Sequence, residues 1–333
     1  MGIKTDISRK VQLRDNIMRY FSFSTIVILV VGFTILRPGF LGIANLTNLL
    51  RDPAPLLIMA AGMTAILLLG SIDLSMGSVC SVANVLTVVI LNQMGPNLGS
   101  PVATAFLALI TILAYGAIAG LLLGTIHVKF KVPSFIASLA FMSVWQSVAL
   151  LITEAPQFIN RVNWGSIGWF RISFGVFGLP LILALLIVVF FYFLQKKSPI
   201  GMALYAIGGN ERASRLAGLK VDKVKILFFM VNGMCAALAG YFLAANLMSS
   251  APRVGEPFTL LIVASVVLGG TVLTGGKGNV LGTILGVFTV TIIRSGMSFV
   301  GVDGFWQTIV FGIFILVSVA ISVDRSNKGI IIK

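Results

Sequence analysis

The sequence has little charge: 10% of its residues are Asp, Glu, Lys or Arg, whereas 58% are hydrophobic. A soluble domain carries much more charge, so this composition excludes one. Its two cysteines, Cys80 and Cys235, lie in apolar segments, which argues against a disulfide framework or a cysteine metal site. The single histidine, His127, has no acidic neighbour in sequence, so an interfacial position is favoured over a proton relay. The chain is predicted to be a membrane protein and not an enzyme, with no metal site.

A phosphate-binding loop is also missing. The nearest match surrounds Lys277, but Thr271 stands where the first glycine is required, and Gly278 where Ser or Thr is required. No Gly-x-Gly-x-x-Gly pattern follows a predicted strand, and strands are not expected at all. The energy for any transport must therefore come from another subunit or from an ion gradient.

Long apolar runs dominate what is present. Ten are long enough to be membrane-spanning helices. They cover residues 20–36, 53–70, 75–92, 102–126, 133–153, 179–195, 225–246, 258–273, 279–298 and 305–323. The sequence therefore predicts an all-α polytopic membrane protein with one transmembrane domain over residues 1–333.

The basic residues indicate the orientation of these spans. Most of the 24 Lys and Arg residues lie in the segments on one side of the predicted spans, which include residues 1–19, 195–225 and 324–333. Because cytosolic flanks accumulate positive charge, both termini and the 195–225 loop are predicted to be cytosolic. Orientation in the bilayer thus explains the net charge of +14, and no nucleic-acid partner is needed.

The 195–225 loop is predicted to contain two short helices. Pro199 can begin the first helix, and the glycines at 208–209 can break it. Asn210 is a good N-cap for a second helix at 211–217, which Gly218 can terminate. An ordered element at this place indicates a docking surface, whereas a basic loop that only fixes topology is the alternative.

Within this element, charged side chains are the candidate docking contacts. Glu211, Arg212 and Arg215 are expected to be exposed, and the glycines are expected to fix the backbone shape. Tyr205 and Leu216 are expected to anchor the element by packing.

Four blocks in this order resemble the permease subunit of ribose-type ABC sugar importers, in the broader branched-chain-type permease superfamily. They are GSIDLSMGS at 70–78, VPSFIASLA at 132–140, YAIGGNERASRLAGL at 205–219 and VVLGGTVLTGGKGNVLG at 266–282. The resemblance spans nearly the whole chain. It implies a multi-pass protein of the cell inner membrane whose 199–219 segment contacts an ATPase.

The resemblance also implies partners and a substrate class. The partners would be a second permease copy or a paralogue, a cytosolic ABC ATPase that binds ATP and Mg, and an extracytoplasmic sugar-binding protein. The permease itself would need no cofactor. The implied substrate is a small neutral polyhydroxylated molecule, such as a pentose, a hexose or a related furanone. One departure concerns the acid that family members often have before the GG of the eighth span, since Glu256 is the only acid near that place here.

Asp73 is an acid at predicted membrane depth, in a break between two apolar runs. Such an acid is costly and usually faces a cavity or a partner. Two interpretations remain open: Asp73 lines the sugar path with Ser75, Asn84 and Gln146, or it caps the helix that follows, which Leu74 and Ser75 would open.

Two sets of glycines recur at a spacing of four. Glycines at this spacing let membrane helices approach closely, so helix packing is predicted. They are Gly116, Gly120 and Gly124 in the fourth span and Gly278, Gly282 and Gly286 around the start of the ninth. The fourth and ninth spans would correspond in a five-plus-five inverted repeat. The similarity of LGSIDLSMGS to LGGTVLTGGK conflicts with that repeat, because these two segments would cross the membrane in the same direction.

Two segments on the predicted outer side are long enough to carry structure, at 154–179 and 248–257. The first contains Trp164, Trp169 and Phe170, which are most simply an interfacial aromatic belt, or alternatively part of a landing surface for a binding protein.

Two further function classes were weighed against the importer permease. An ion-coupled secondary transporter would need paired ionisable residues in the membrane, for which only Asp73 and Arg294 are candidates. A membrane-embedded transferase would need a cluster of histidine and acids that the sequence lacks.

Overall fold

A computed structural model describes residues 23–322, which form a bundle of helices. The predicted cytosolic segments 1–19 and 324–333 lie outside these residues. The helices are α1 (Phe23–Leu36), α2 (Ile43–Arg51), α3 (Pro53–Leu68), α4 (Met76–Leu98), α5 (Pro101–Lys129), α6 (Ser134–Ile152), α7 (Trp164–Ile167), α8 (Leu179–Lys197), α9 (Pro199–Gly209), α10 (Glu211–Leu216), α11 (Val221–Leu247), α12 (Glu256–Leu268), α13 (Val280–Val300) and α14 (Gly304–Ser322).

Each predicted span contains a helix, and seven helical stretches among the described residues are long and apolar enough to cross a membrane. The prediction of a multi-pass, mainly helical membrane protein is therefore confirmed. The count of ten spans, the inverted repeat and the sidedness stay predictions.

The helix in the eighth predicted span is unusually short. At 13 residues, α12 is about 20 Å long, less than the roughly 30 Å hydrocarbon core. The segment that precedes α12 enters the bundle and lies against α4, where the Gly255 amide donates to the Ser81 hydroxyl at 2.9 Å. The first turns of α12 and α4 therefore meet inside the protein.

Two helices form the centre of the bundle. Every residue of α3 is buried, as expected for a helix that is apolar on all sides. The other central helix, α11, packs against α5, α4 and α3. Its contact with α5 is close because the backbones of Gly233 and Gly116 touch. By contrast, α6 has one face almost entirely exposed.

The bundle end opposite α9 and α10 carries two small antiparallel ribbons, so the expectation of no strands is wrong. Strand β1 (Gln157–Phe158) pairs with β4 (Ser249–Ser250), and β2 (Ser173–Phe174) pairs with β3 (Phe177–Gly178). The first ribbon links the 154–179 segment to the end of α11. Two-residue strands have no periodic pattern that sequence analysis could detect.

Two aromatic residues of the 154–179 segment, Trp169 and Phe170, pack inward, so the belt interpretation is wrong for these two. Phe170 is buried, and Trp169 stacks on Tyr241 of α11 with ring centroids 5.8 Å apart. Only Trp164 is exposed among the three. These rings fasten the segment to the top of α11, which is a packing role that composition does not distinguish from an interfacial one.

Candidate functional site

The α9–α10 element, residues 198–218, folds as its local sequence predicts. The Ser198 hydroxyl caps α9 by accepting from the Gly201 amide at 2.9 Å. The Asn210 side chain caps α10 by accepting from the Ala213 amide, also at 2.9 Å. Gly218 follows α10 with a φ of +85°, a left-handed conformation that favours glycine. The two helices and their caps thus form one ordered unit.

Ion pairs fasten α10 to the first turns of α11. Glu211 pairs with Arg215 at 3.1 Å and with Lys225 at 2.7 Å, while Arg215 also bonds to Asp222. Partial burial opposes ionisation of Glu211, but the hydrogen bonds and charges of Lys225 and Arg215 outweigh it and lower its pKa. Glu211 and Arg215 therefore hold the element together.

This leaves a different exposed surface from the expected one. Leu216 is 85% exposed, so the expectation that it anchors the element is wrong. Arg212 is exposed and has no ion-pair partner among the described residues. Tyr205 is half-buried, and its hydroxyl donates to the Gly278 carbonyl at 3.0 Å. The free surface of α10 thus combines a cation and a large apolar side chain.

Glycines from three distant segments meet under α9, at what we call the glycine junction: Gly70, Gly208, Gly275 and Gly276. A Cβ on Gly208 would overlap the carbonyl oxygen of Leu68, at the end of α3. That same carbonyl accepts from the Gly276 amide at 2.9 Å. The junction therefore joins α9 to two helix breaks, at 69–75 and 269–279, by direct backbone contact.

Backbone conformation reinforces the choice of glycine there. Gly275 has a φ of +89°, and a Cβ on it would lie 2.8 Å from the Gly70 nitrogen. No other residue type meets both the left-handed conformation and the close approach. The backbone of α9 therefore contacts both helix breaks with no flexible side chain between them.

Asp73 lies within the 69–75 break and is 3% exposed. Its carboxylate accepts from the amide and hydroxyl of Ser75 at 2.9 and 2.6 Å, which forms a turn directly before α4. It also accepts from the Asn232 side chain of α11 at 2.8 Å. The carboxylate thus links the break to the central helix, and it supports the start of α4 from two residues before the cap position, Ser75.

The other two candidate path residues are separated by the fold. The Asn84 side chain is buried, accepts from the Ala251 amide at 2.8 Å and donates to the Gly240 carbonyl at 3.5 Å. Gln146 lies on α6, where its Nε2 donates to the Pro252 carbonyl at 2.9 Å and its Oε1 has no partner among the described residues. The structure brings Asp73 and Ser75 together, but neither Asn84 nor Gln146 joins them.

Gln146 lines a cavity of about 420 Å³ between α4, α6 and α12, which we call the Gln146 cavity. Its polar walls are Ser78, Ser143, Gln146, Glu256 and Thr259. Sequence analysis noted Glu256 only as the acid nearest an expected one and did not identify Ser78, Ser143 or Thr259. The signal available was the Pro-Arg-Val-Gly-Glu-Pro run at 252–257, which starts α12 inside the bundle instead of at its surface.

The two glycine sets lie where helices touch. Gly116, Gly120 and Gly124 of α5 face α11, where a Cβ on Gly120 would overlap the Phe229 carbonyl. Gly282 and Gly286 bring α13 against the end of α12. Gly278 lies against Thr271 within the 269–279 break. All six are thus close-packed.

Comparison with known proteins shows that this chain is similar to permease components of transport systems. Residues 45–319 match the family described as the permease component of branched-chain amino acid transport systems. The chain is 36% identical over 315 residues to the ribose import permease protein RbsC of Bacillus subtilis, covering 94% of this chain and 95% of that one. It is 32% identical to RbsC of Haemophilus influenzae over 90% and 91% of the two chains. It is 35% identical to the fructose import permease protein FruG of Bifidobacterium longum over 86% and 84%. No solved structure matches the chain significantly.

Proposed function

The chain belongs to this family of transport-system permease components, and we propose that within it the chain is the membrane-spanning permease subunit of an ABC importer for ribose or a similar small neutral sugar. The observation that carries the proposal is similarity at 32–36% identity, over at least nine-tenths of this chain, to proteins named ribose import permease. An ion-coupled transporter is not favoured.

The α9–α10 element is the proposed contact for the ATPase. Its free face offers the cation of Arg212 beside the exposed apolar side chain of Leu216, and arginine is enriched at protein interfaces. The ion pairs of Glu211 and Arg215 hold this face rigid relative to α11. The glycine junction then passes ATPase closure to the two helix breaks.

The Gln146 cavity is the proposed sugar path. Amide, hydroxyl and carboxylate groups there can bond to sugar hydroxyls, and the first turns of α4 and α12 meet beside it. Discontinuous helices that meet inside the bundle commonly form transporter sites. The neighbouring exposed face of α6, which carries Ser143 and Ser147 among apolar side chains, is the proposed contact with a second permease copy.

The proposal predicts which proteins accompany the chain. Affinity purification of the tagged full chain from its native membrane should recover an ABC ATPase and a soluble binding protein that binds ribose or a similar sugar. Vesicles holding the recovered complex should take up that sugar only with ATP present. Recovery of a stable homo-oligomer alone, whose uptake follows an ion gradient, would overturn the proposal.

The docking surface has its own test. Arg212→Glu reverses an exposed charge that has no described ion-pair partner, so it should reduce ATPase recovery without changing the midpoint of thermal unfolding. Arg171→Glu makes the same change at the opposite end of the bundle and should reduce neither the ATPase recovery nor the midpoint of thermal unfolding. Equal ATPase recovery with both variants would remove Arg212 from the interface.

A further inference from the structure

A second cavity, of about 530 Å³, lies on the other side of the first turn of α12. It is open on one side and bordered by α2, α3, α11, α12 and α13, and we call it the Arg294 cavity. Its polar lining comprises Asn45, Asn48, Asp52, Asn246, Thr291, Arg294, Ser295 and Ser298. Pro257 and Phe258 face this cavity, whereas Glu256 and Thr259 face the Gln146 cavity. A single helical turn therefore separates two polar spaces.

Several of these side chains form no hydrogen bond with the described part of the protein. Within residues 23–322, Asp52, Asn246, Thr291 and Arg294 make no side-chain hydrogen bond or ion pair. Arg294 lies 5.9 Å from the Phe258 ring centroid, inside a predicted membrane span. Ionisable groups within membrane spans are costly and mark pathways for solutes. Asp52 and Arg294 are exposed to this cavity, so these polar groups are open to bonding with water or with a polar solute.

The chemistry of the lining selects the occupant. Asp52 only accepts hydrogen bonds, Arg294 only donates them, and the Asn246 amide does both. The opposite charges of Asp52 and Arg294 balance, which disfavours a charged ligand. The rings of Phe258 and Phe299 add apolar faces to the same space. A neutral molecule with several hydroxyls and an apolar carbon skeleton uses all of these groups, and a cavity of this volume accommodates it.

We propose that the Arg294 cavity binds the transported sugar as a second station within each permease chain, separated from the Gln146 cavity by the first turn of α12. This inference rests on the proposed function, since it assigns the same substrate to a second place. The turn begins 13 residues before the 269–279 break, and the rest of α12 connects the two as one rigid helix. Rotation of the turn would join the two cavities.

The test uses a thiol reporter in the full chain, purified and placed in phosphatidylcholine nanodiscs. Both native cysteines are buried, so a maleimide labels the Thr291→Cys variant at the new thiol. Ribose should slow this labelling by about tenfold at a concentration about ten times its Kd. Adding Arg294→Gln should abolish the protection while leaving labelling in the absence of ribose unchanged. Labelling of Asn97→Cys, at an exposed site, should be unaffected by ribose.

Two results would overturn the inference. One is ribose-independent labelling of Thr291→Cys in nanodiscs although the intact complex transports ribose. The other is labelling that responds to added phosphatidylglycerol but not to ribose, which would identify a lipid site. Failure of the proposed function looks different, because the purified complex would then take up no sugar with ATP.

Discussion

The glycine junction and the first turn of α12 are built in opposite ways. At the junction, backbone atoms from three segments touch directly, and the contact leaves no room for even a methyl group. Around the first turn of α12, two cavities of about 420 and 530 Å³ remain, and several polar groups have no partner. A contact without side chains transmits displacement, whereas a lined cavity accommodates a solute. In the proposed function, the junction is the region that moves and the cavities are the region that binds.

The largest expected effect comes from filling the junction. Gly208→Ala places a methyl group on the Leu68 carbonyl, so the native contact must separate, at a cost of about 1–3 kcal/mol. We expect a lower midpoint of thermal unfolding and loss of coupled sugar uptake. The adjacent Gly209→Ala is the matched control, because a Cβ there meets no atom within 4 Å. Equal behaviour of the two variants would show that the junction is not tight.

A second effect tests whether Asp73 is a structural link. Asn232→Ala removes the donor to the Asp73 carboxylate, and an unsatisfied buried acceptor costs about 1–3 kcal/mol. We expect the thermal midpoint to fall. The thermal midpoint of Asp73→Asn should fall less, since its amide oxygen can still accept from Ser75 and its amide nitrogen can donate to the otherwise unpaired Oδ1 of Asn232 once that side chain rotates. Exposed Asn97→Ala is the control. Unchanged stability and unchanged uptake in Asp73→Asn would remove both roles proposed for this residue.

Structure that depends on neighbouring residues can be predicted from this sequence. The Asn210 cap and the Gly218 stop follow from local propensity, and both are present. Structure that depends on residues distant in the chain cannot be predicted in this way. Nothing local shows that Gly70, Gly208 and Gly275 meet, or that a cavity forms between α4, α6 and α12. Leu216 illustrates the same limit. An apolar residue on a short helix is predicted to be buried, but whether it is depends on neighbours that the sequence does not show.

The third effect addresses binding and not stability. Glu256→Gln changes one wall of the Gln146 cavity while keeping its volume, so the thermal midpoint should not change. Loss of a charged hydrogen-bond acceptor should raise the sugar concentration for half-maximal uptake by about tenfold, equivalent to about 1.4 kcal/mol. Glu154→Gln, at an exposed acid of the same end, should leave uptake unchanged. If Glu256→Gln leaves the sugar concentration for half-maximal uptake unchanged, the sugar path does not pass through this cavity.

The smallest effect is a pH dependence in the α9–α10 element. Burial raises the pKa of Glu211, but its bonds to Lys225 and Arg215 more than reverse this, so its folded pKa lies below 4.5. A lowered folded pKa stabilises the protein above the unfolded value, and this contribution is lost as the pH falls through the folded value. Because the carboxylate is 41% exposed, we expect less than about 1 kcal/mol. The thermal midpoint of Glu211→Gln should therefore lie slightly below that of the unmodified chain at about pH 6 and converge on it as the pH falls below the folded pKa of Glu211. A constant difference across this range would mean that Glu211 contributes through packing and not through its charge.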